Sequence, residues 1–535
     1  MIIAKRPKQF DFQYNLKDFA HMINESFMNS HTHILILPHK TALYRVNPIM
    51  KAKKYGVLNI AILFVLFSLN ALVNPVAGNG YEIKVRIIGL KDTICYLGNH
   101  YGDKQYVRDT VKVDANGWAV FKGKDSLPGG IYLVVMPSKT YFEMVVNEQK
   151  FSLETDTNDF IGKMKVTGSL ENKLFNDHQR FVIEKAQKSQ ELKAKLDAAG
   201  DNKALADSIR EEISSLDKEV KQYRMKIVND HPKTFMANII RAMSEPEFPA
   251  PQRDEKGNVS DSTYQQKYFN YYKKHFFDNL DFSDERLLRT PIFHGKIKTY
   301  LEQLTVPLPD SIIVSVDTII NRARANKEVF KYCVATLANQ YETSKIMGYD
   351  KVFVHIAERY YLTKEAFWAD STLQAKIHER VEKIKPNILG QKAYNLNMPD
   401  TGMKMQSLYG VKAKYTILMF WDPTCGHCKQ EMPKLVHFYD SSRAAGLKVE
   451  VFAVGIESDI DLWKNYVRDN NLKWINVSDL YNNTGFRNYY DIYSTPVIYL
   501  LDEEKRILAK RLDAEKVRDF IHHQEKTKAA QPKTE

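Results

Sequence analysis

The hydrophobic period changes twice along this chain, and each change dictates a different kind of domain. From Tyr81 the period is two: Ile83, Val85 and Ile87 alternate with Lys84 and Arg86, as in a strand with one buried face. Thr110 to Val113 and Trp118 to Phe121 flank Asp114-Ala115-Asn116-Gly117, a hairpin turn in which glycine supplies the positive φ. Ile131 to Val135 and Tyr141 to Val146 continue the alternation, so residues 79–172 are expected to form an antiparallel β-domain. Beyond them Leu205, Ile209, Ile213, Leu216, Val220, Tyr223 and Ile227 recur by threes and fours, which makes an amphipathic helix. Ala198 to Asn202 reads as the turn of an intramolecular helical hairpin. A proline-rich break from Glu245 to Pro251 precedes a second helical stretch whose first helix is crowded by Tyr264, Tyr268, Phe269, Tyr271, Tyr272, Phe276 and Phe277, read as core aromatics. Residues 173–390 are therefore expected to be an α-helical domain, and residues 391–525 a mixed α/β domain, with a polar tail at 526–535.

With 535 residues and 44% apolar content, the chain suits about three or four globular domains. Its net charge of +12 does not indicate nucleic acid. Residues 1–78 hold nine Lys/Arg against three Asp/Glu, and the remainder holds 68 against 62, with no basic stripe interleaved with aromatics. Met50 opens a basic segment (Lys51, Lys53, Lys54), followed by the apolar run Val57 to Leu69 and the small-residue exit Val76-Ala77-Gly78. That order is expected of an export signal, cleaved after Gly78 or Ala77; the other reading is an uncleaved anchor, at about 17 apolar residues short for a span. Residues 50–78 are thus expected to export the rest of the protein to a periplasm or cell envelope, membrane-anchored if the signal is uncleaved, and Met50 is the expected true start, leaving residues 1–49 as an upstream extension.

The C-terminal pattern is a strand at Tyr415 to Trp421, a helix from Cys425 to about Ala445, a strand at Val449 to Val454, and a helix near Leu462 to Asp469. Thr495-Pro496 then introduces the strand Val497 to Leu501, a turn, the strand Arg506 to Ala509, and a closing helix from about Ala514. This is a parallel βαβ unit followed by a β-hairpin and a helix. Cys425-Gly426-His427-Cys428 sits at the junction of the first strand and helix, where two intervening residues put both sulfurs on one turn, close enough for a disulfide. Four cysteines in all are too few for a disulfide scaffold, and no second pair exists for a four-thiolate zinc site. Cys95 and Cys333 stand alone and are expected to be buried and inert.

Position suggests the roles. Cys425, at the start of the helix, is the nucleophile, its thiolate stabilised by unpaired N–H groups and the positive dipole end. Cys428, one turn deeper, is the resolving thiol. Gly426 admits a partner backbone, and protonated His427 adds charge beside the Cys425 sulfur.

The stretch from about 393 to 525 resembles the thioredoxin superfamily, most closely its exported thiol-disulfide oxidoreductases related to TlpA and ResA. The residues that carry the resemblance are Phe420-Trp421, the CxxC, Pro433 eight residues after Cys425, and Thr495-Pro496 ahead of a strand. The resemblance implies a cis Pro496 facing the dithiol, with Thr495, Pro496 and Trp421 at the substrate surface. It also matches Glu431 to an acid that shuttles the proton of Cys428; a solvated first-turn carboxylate is the alternative. Thr424 and Met419 depart from the family, where a Trp precedes the first cysteine and cytosolic members bury an Asp in the strand.

The function expected is exchange of disulfides with protein clients, as reductant or isomerase, recharged by a membrane electron donor or acceptor and needing no cofactor. The Cys-Gly-His-Cys tetrad resembles that of protein disulfide isomerase and leaves the direction of electron flow open. A thiol peroxidase is disfavoured because Pro423, Thr424 and Cys425 are contiguous, and a metal site because adjacent His and Cys on a helix do not complete a tetrahedron. The non-enzymatic alternative is an envelope binding or assembly protein whose work is done by residues 80–390.

Overall fold

The computed structural model describes residues 80–251, 263–457, 459–480 and 483–530. The expected export segment and the residues before it lie outside this range. The chain divides into two compact units at Lys296/Ile297, inside the stretch expected to be one helical domain.

The first unit opens with strands β1 (Tyr81–Ile88), β2 (Thr93–Tyr101), β3 (Lys104–Val113), β4 (Trp118–Gly123), β5 (Gly130–Val135), β6 (Tyr141–Val146), β7 (Lys150–Asp156) and β8 (Lys165–Thr167). They form one eight-stranded sheet in the order β6-β5-β2-β3-β4-β1-β7-β8. The alternating residues Ile83, Val85 and Ile87 are wholly buried, and Cys95 joins their cluster. Gly117 takes the left-handed turn position at φ 84°. The sheet is antiparallel at every junction but one, as expected of this domain; the exception is β1, which runs parallel to β7 from Glu82↔Lys150 to Ile88↔Asp156. The expected turn joins β3 to β4 as an antiparallel pair, with Val113 opposite Ala119, and β4 lies along β1 on its other edge.

Helix α1 (Leu170–Ala198) starts within the range assigned to the β-domain, capped by Ser169, whose side chain accepts from the Asn172 N–H. The Asn172 side chain accepts from the N–H of Val145 at 2.8 Å and donates to its carbonyl at 2.7 Å, so it satisfies an edge strand that would otherwise be open. Helix α2 (Lys203–Asp230) folds back on α1 through the expected turn, packing Ile209 and Leu216 on Leu192. Helix α3 (Phe235–Met243) receives the buried Glu171 carboxylate at its first N–H groups, Phe235 and Met236, at 2.7 and 2.9 Å. In and just after α4 (Tyr264–His275) the aromatics are only partly core: Tyr272 of the helix and Phe276 and Phe277 beyond its end are buried, but Phe269 is exposed, and Phe248 sits among the rings of Tyr264, Tyr268 and Tyr271.

The division between units falls within α5 (Pro291–Gln303). Helices α6 (Pro309–Ala323), α7 (Lys327–Glu342), α8 (Asp350–Ile356) and α9 (Ser371–Ile384) follow in the second unit, with Cys333 buried on α7. Two short strands, β9 (Asn397–Pro399) and β10 (Met405–Ser407), form a ribbon. Then come β11 (Tyr415–Trp421), helix α10 (Gly426–Ala444), β12 (Val449–Gly455), helix α11 (Ile460–Asp469), β13 (Ile475–Ser478), β14 (Val497–Leu501), β15 (Ile507–Lys510) and helix α12 (Ala514–Ala530). Helix α12 carries the chain through five residues of what was expected to be a polar tail.

The five-stranded sheet has the order β13-β12-β11-β14-β15. Strands β11, β12 and β13 are parallel, while β14 runs antiparallel to β11 and pairs with β15. Every residue of β11 is buried, and its alternation sorts them into two cores. Ile417, Met419 and Trp421 pack with Met432 and Leu435 of α10, Trp463 of α11 and Ile521 of α12. Leu418 and Phe420 face Leu396, Phe486 and Tyr490 on the other side. In the sheet Trp421 is opposite Gly455, and a Cβ at Gly455 would lie 2.5 Å from the Trp463 ring. We expect Gly455→Ala to destabilise the second unit by about 1–3 kcal/mol, measured as a lowered urea midpoint with unchanged slope.

Candidate functional site

The redox pair is built at the point where β11 ends. After Trp421 the chain turns on Asp422, whose Oδ1 accepts from the Thr424 N–H and hydroxyl, both at 2.6 Å, while its carbonyl accepts from the Cys425 N–H at 3.1 Å. This Asp-Pro-Thr turn has the residues of an Asx-turn, a local cue in the sequence that the motif reading leaves unused. Cys425 then occupies the N-cap of α10 with extended backbone (φ −70°, ψ 122°), and the helix itself begins at Gly426. The expectation that Cys425 is the first helical residue shifts by one, for a physical reason: at the N-cap the sulfur faces the free N–H groups of the first turn.

Cys425 is half-buried and Cys428 is buried; both are free thiols. The Thr495–Pro496 peptide is cis, and the Cys425 Sγ lies 3.3 Å from the Thr495 carbonyl oxygen, to which the thiol donates. Burial opposes ionisation of Cys425, yet hydrogen bonds from the Thr495 side chain, the Cys428 backbone N–H, the Cys428 thiol and the His427 backbone N–H outweigh it and hold the thiol below its ordinary value of 9.0. Burial pushes Cys428 the other way, to about 12. Its surroundings supply the cause: Cys428 shares a core with Met419, Trp421 and Met432. The apolar Met419, noted as a departure, is thus part of the apolar setting of the resolving thiol.

His427 is exposed, and the contact that it makes to the Cys425 sulfur is through its backbone N–H. The carboxylate of Glu431 is engaged on the far helix: Oε2 accepts from the Ala514 N–H at 2.9 Å, at the start of α12, and Oε1 pairs with Lys434 at 3.1 Å. Trp421 needs correction as a substrate-surface residue. Its indole is wholly buried with its ring 5.1 Å from that of Tyr466, so it supports the site from beneath and presents nothing to a client. Thr495 and Pro496 stay at the surface, half-buried. Among the described residues no group of three or more His, Cys, Asp or Glu is placed to hold a metal ion.

A dithiol at the N-terminus of a helix that follows a central parallel strand, faced by a cis-proline loop, defines a thioredoxin-type domain. Comparison with known proteins agrees: residues 412–507 match the family described as thioredoxin-like, while residues 81–175 and 259–387 match two domains of unknown function, DUF4369 and DUF5106. The chain is 27% identical over 122 residues to a thiol-disulfide oxidoreductase ResA of Bacillus cereus, covering 23% of this chain and 68% of that protein. It is 31% identical over 97 residues to the sporulation thiol-disulfide oxidoreductase A of Bacillus subtilis, covering 18% of this chain and 58% of that one. A crystal structure described as a domain of possible thiol-disulfide isomerase, from Cytophaga hutchinsonii, is 45% identical over 27% of this chain and 97% of its own, with a TM-score of 0.25. Residues 412–507 thus form a thioredoxin-like domain whose homologues are thiol-disulfide oxidoreductases such as ResA.

The two sulfurs should separate on alkylation. Iodoacetamide at pH 7 to 8 is expected to label Cys425 in the reduced protein and leave Cys428 unmodified, with a midpoint for Cys425 below 9.0, read by peptide mass spectrometry across a pH series.

Proposed function

We propose that the chain is a cell-envelope oxidoreductase that exchanges disulfides with protein clients, working as a reductant or isomerase through Cys425 and Cys428. The observation that carries this reading is the geometry of the pair: a half-buried Cys425 at the N-cap of α10, 3.3 Å from the Thr495 carbonyl of the cis-proline loop, with Cys428 buried one turn deeper. The Cys425 thiolate attacks one sulfur of a client disulfide; that S–S bond breaks, a mixed disulfide forms, and the other client sulfur leaves as a thiolate. Cys428 must then lose its proton and attack Cys425, releasing the second client thiol. Two electrons have passed to the client, and a Cys425–Cys428 disulfide remains for an external dithiol donor to reduce. In isomerisation Cys428 does not intervene: the released client thiolate attacks another disulfide of its own chain, the thiolate freed there attacks the client sulfur of the mixed disulfide, and Cys425 leaves as a thiolate with no net electrons moved.

Burial raises the Cys428 thiol in the reduced protein, so its attack on the mixed disulfide requires a route for its proton. Glu431 is the proposed shuttle for that proton, although both of its oxygens are held by α12 and Lys434. The proposed envelope location rests on residues 50–78, and disulfides are the natural substrate of such a compartment.

Insulin reduction by the full chain tests the activity. Cys425→Ser is expected to abolish turnover to background, whereas Cys428→Ser should retain the first attack and accumulate client-linked species on non-reducing gels. Turnover that survives Cys425→Ser would end the proposal. A Cys425–Cys428 pair found mostly oxidised in growing cells would overturn the reductant and isomerase direction. If Glu431 carries the proton, Glu431→Gln raises the pH at which mixed disulfides resolve; an unchanged profile with a loss of about 1 kcal/mol in stability would make Glu431 a cap of α12 alone.

A further inference from the structure

Four residues before Thr495, Asp491 holds a carboxylate only 7% exposed, clasped by two guanidinium groups. One oxygen accepts from Arg380 Nη1 at 2.9 Å, and the other is bound by Arg511. Arg511 follows β15 directly, but Arg380 arrives from α9, 111 residues earlier in the chain. The same Nη1 donates to the Tyr493 hydroxyl at 3.1 Å, and the guanidinium carbon lies 5.2 Å from the centre of the Tyr493 ring. Arg380 Nε donates to Glu342 at 3.2 Å, which ties the arginine back to α7. Just past the end of α9, the buried Asn387 donates to the Tyr489 carbonyl at 2.7 Å. Residues 489, 491 and 493 are therefore all fastened to the α9 region, immediately ahead of the residue whose carbonyl and side chain meet the Cys425 sulfur.

We infer that Arg380 is a positioning residue for disulfide exchange: through Asp491 and Tyr493 it fixes the segment that sets Thr495 against Cys425. Helix α9, which lies in the match to the domain of unknown function at 259–387, is on this view a working part of the redox centre. The inference rests on the oxidoreductase reading for its functional meaning and on geometry for its substance. Arginine suits the task because its planar fork serves Asp491 and Glu342 from separate nitrogens while its face lies near an aromatic ring; a lysine offers one mobile point of charge. Removing Arg380 leaves Asp491 still paired with Arg511, so no buried carboxylate is stranded, and the variant is expected to fold.

The test uses the full-length protein as wild type, Arg380→Ala and Arg380→Lys, with two readouts. One is the rate at which iodoacetamide alkylates reduced Cys425 at pH 7. The other is kcat and KM for insulin reduction. For Arg380→Ala, circular dichroism should match wild type, alkylation should slow severalfold, and kcat should fall about 10- to 100-fold with little change in KM. Arg380→Lys should recover part of both losses. Wild-type alkylation and wild-type kcat in a folded Arg380→Ala would overturn the inference. If Arg380→Ala does not fold, Arg380→Lys decides alone: slowed alkylation supports the brace, and unaltered rates in both assays reject it. If wild type itself fails to reduce insulin, the oxidoreductase reading falls, while slowed alkylation of the variant would still establish that Arg380 positions the Cys425 environment.

Discussion

The second unit depends on a strand that cannot touch water. All seven residues of β11 are buried, so the strand needs a neighbour on each edge and cover on each face, and it can be nowhere but the centre of a sheet. Once it is central, its C-terminal end fixes where Cys425 emerges, and the helix that covers one face must begin there. The reactive sulfur is at a helix N-terminus because the core demands a helix at that place, and the unpaired N–H groups of the first turn come with it. The same packing draws Cys428 inward, one turn along, into contact with the apolar cluster.

From this follows an asymmetry that a dithiol in solution would not have. Two identical side chains three positions apart differ because one is offered hydrogen bonds and the other is deprived of water. Neither effect needs a charged neighbour. The exposed imidazole of His427, which the sequence makes prominent, contributes through its backbone, whereas the less conspicuous Thr495 meets the sulfur with both its carbonyl and its side chain.

How much of this could be read beforehand varied with the range of the interaction. Strands β11, β12 and β14 and helix α10 were legible because apolar runs, turn residues and the CxxC are local marks. Strand β13 and the β9/β10 ribbon were missed, being four and three residues long with pairing set by distant partners. The parallel β1–β7 pair was invisible for the same reason: period two shows that a strand exists and not which neighbour it takes. At the site, Cys425 and Cys428 were plain from spacing, yet Trp421 was misplaced because an aromatic at a strand end points to either face depending on register. Arg380 and Asp491 carry no local mark at all; only the fold brings them together across 111 positions.

The two remaining cysteines show what burial does for a chain of this kind. Four thiols in an unfolded chain can be joined into two bridges in three ways. Cys95 is enclosed by the first sheet, with its ionisation pushed up to about 11, and Cys333 by the helices of the second unit. Each element that closes removes one competitor, and the pairing problem shrinks to the single bond that the chemistry uses. The packing around Cys95 and Cys333 thus acts as proofreading, keeping the protein from becoming its own substrate.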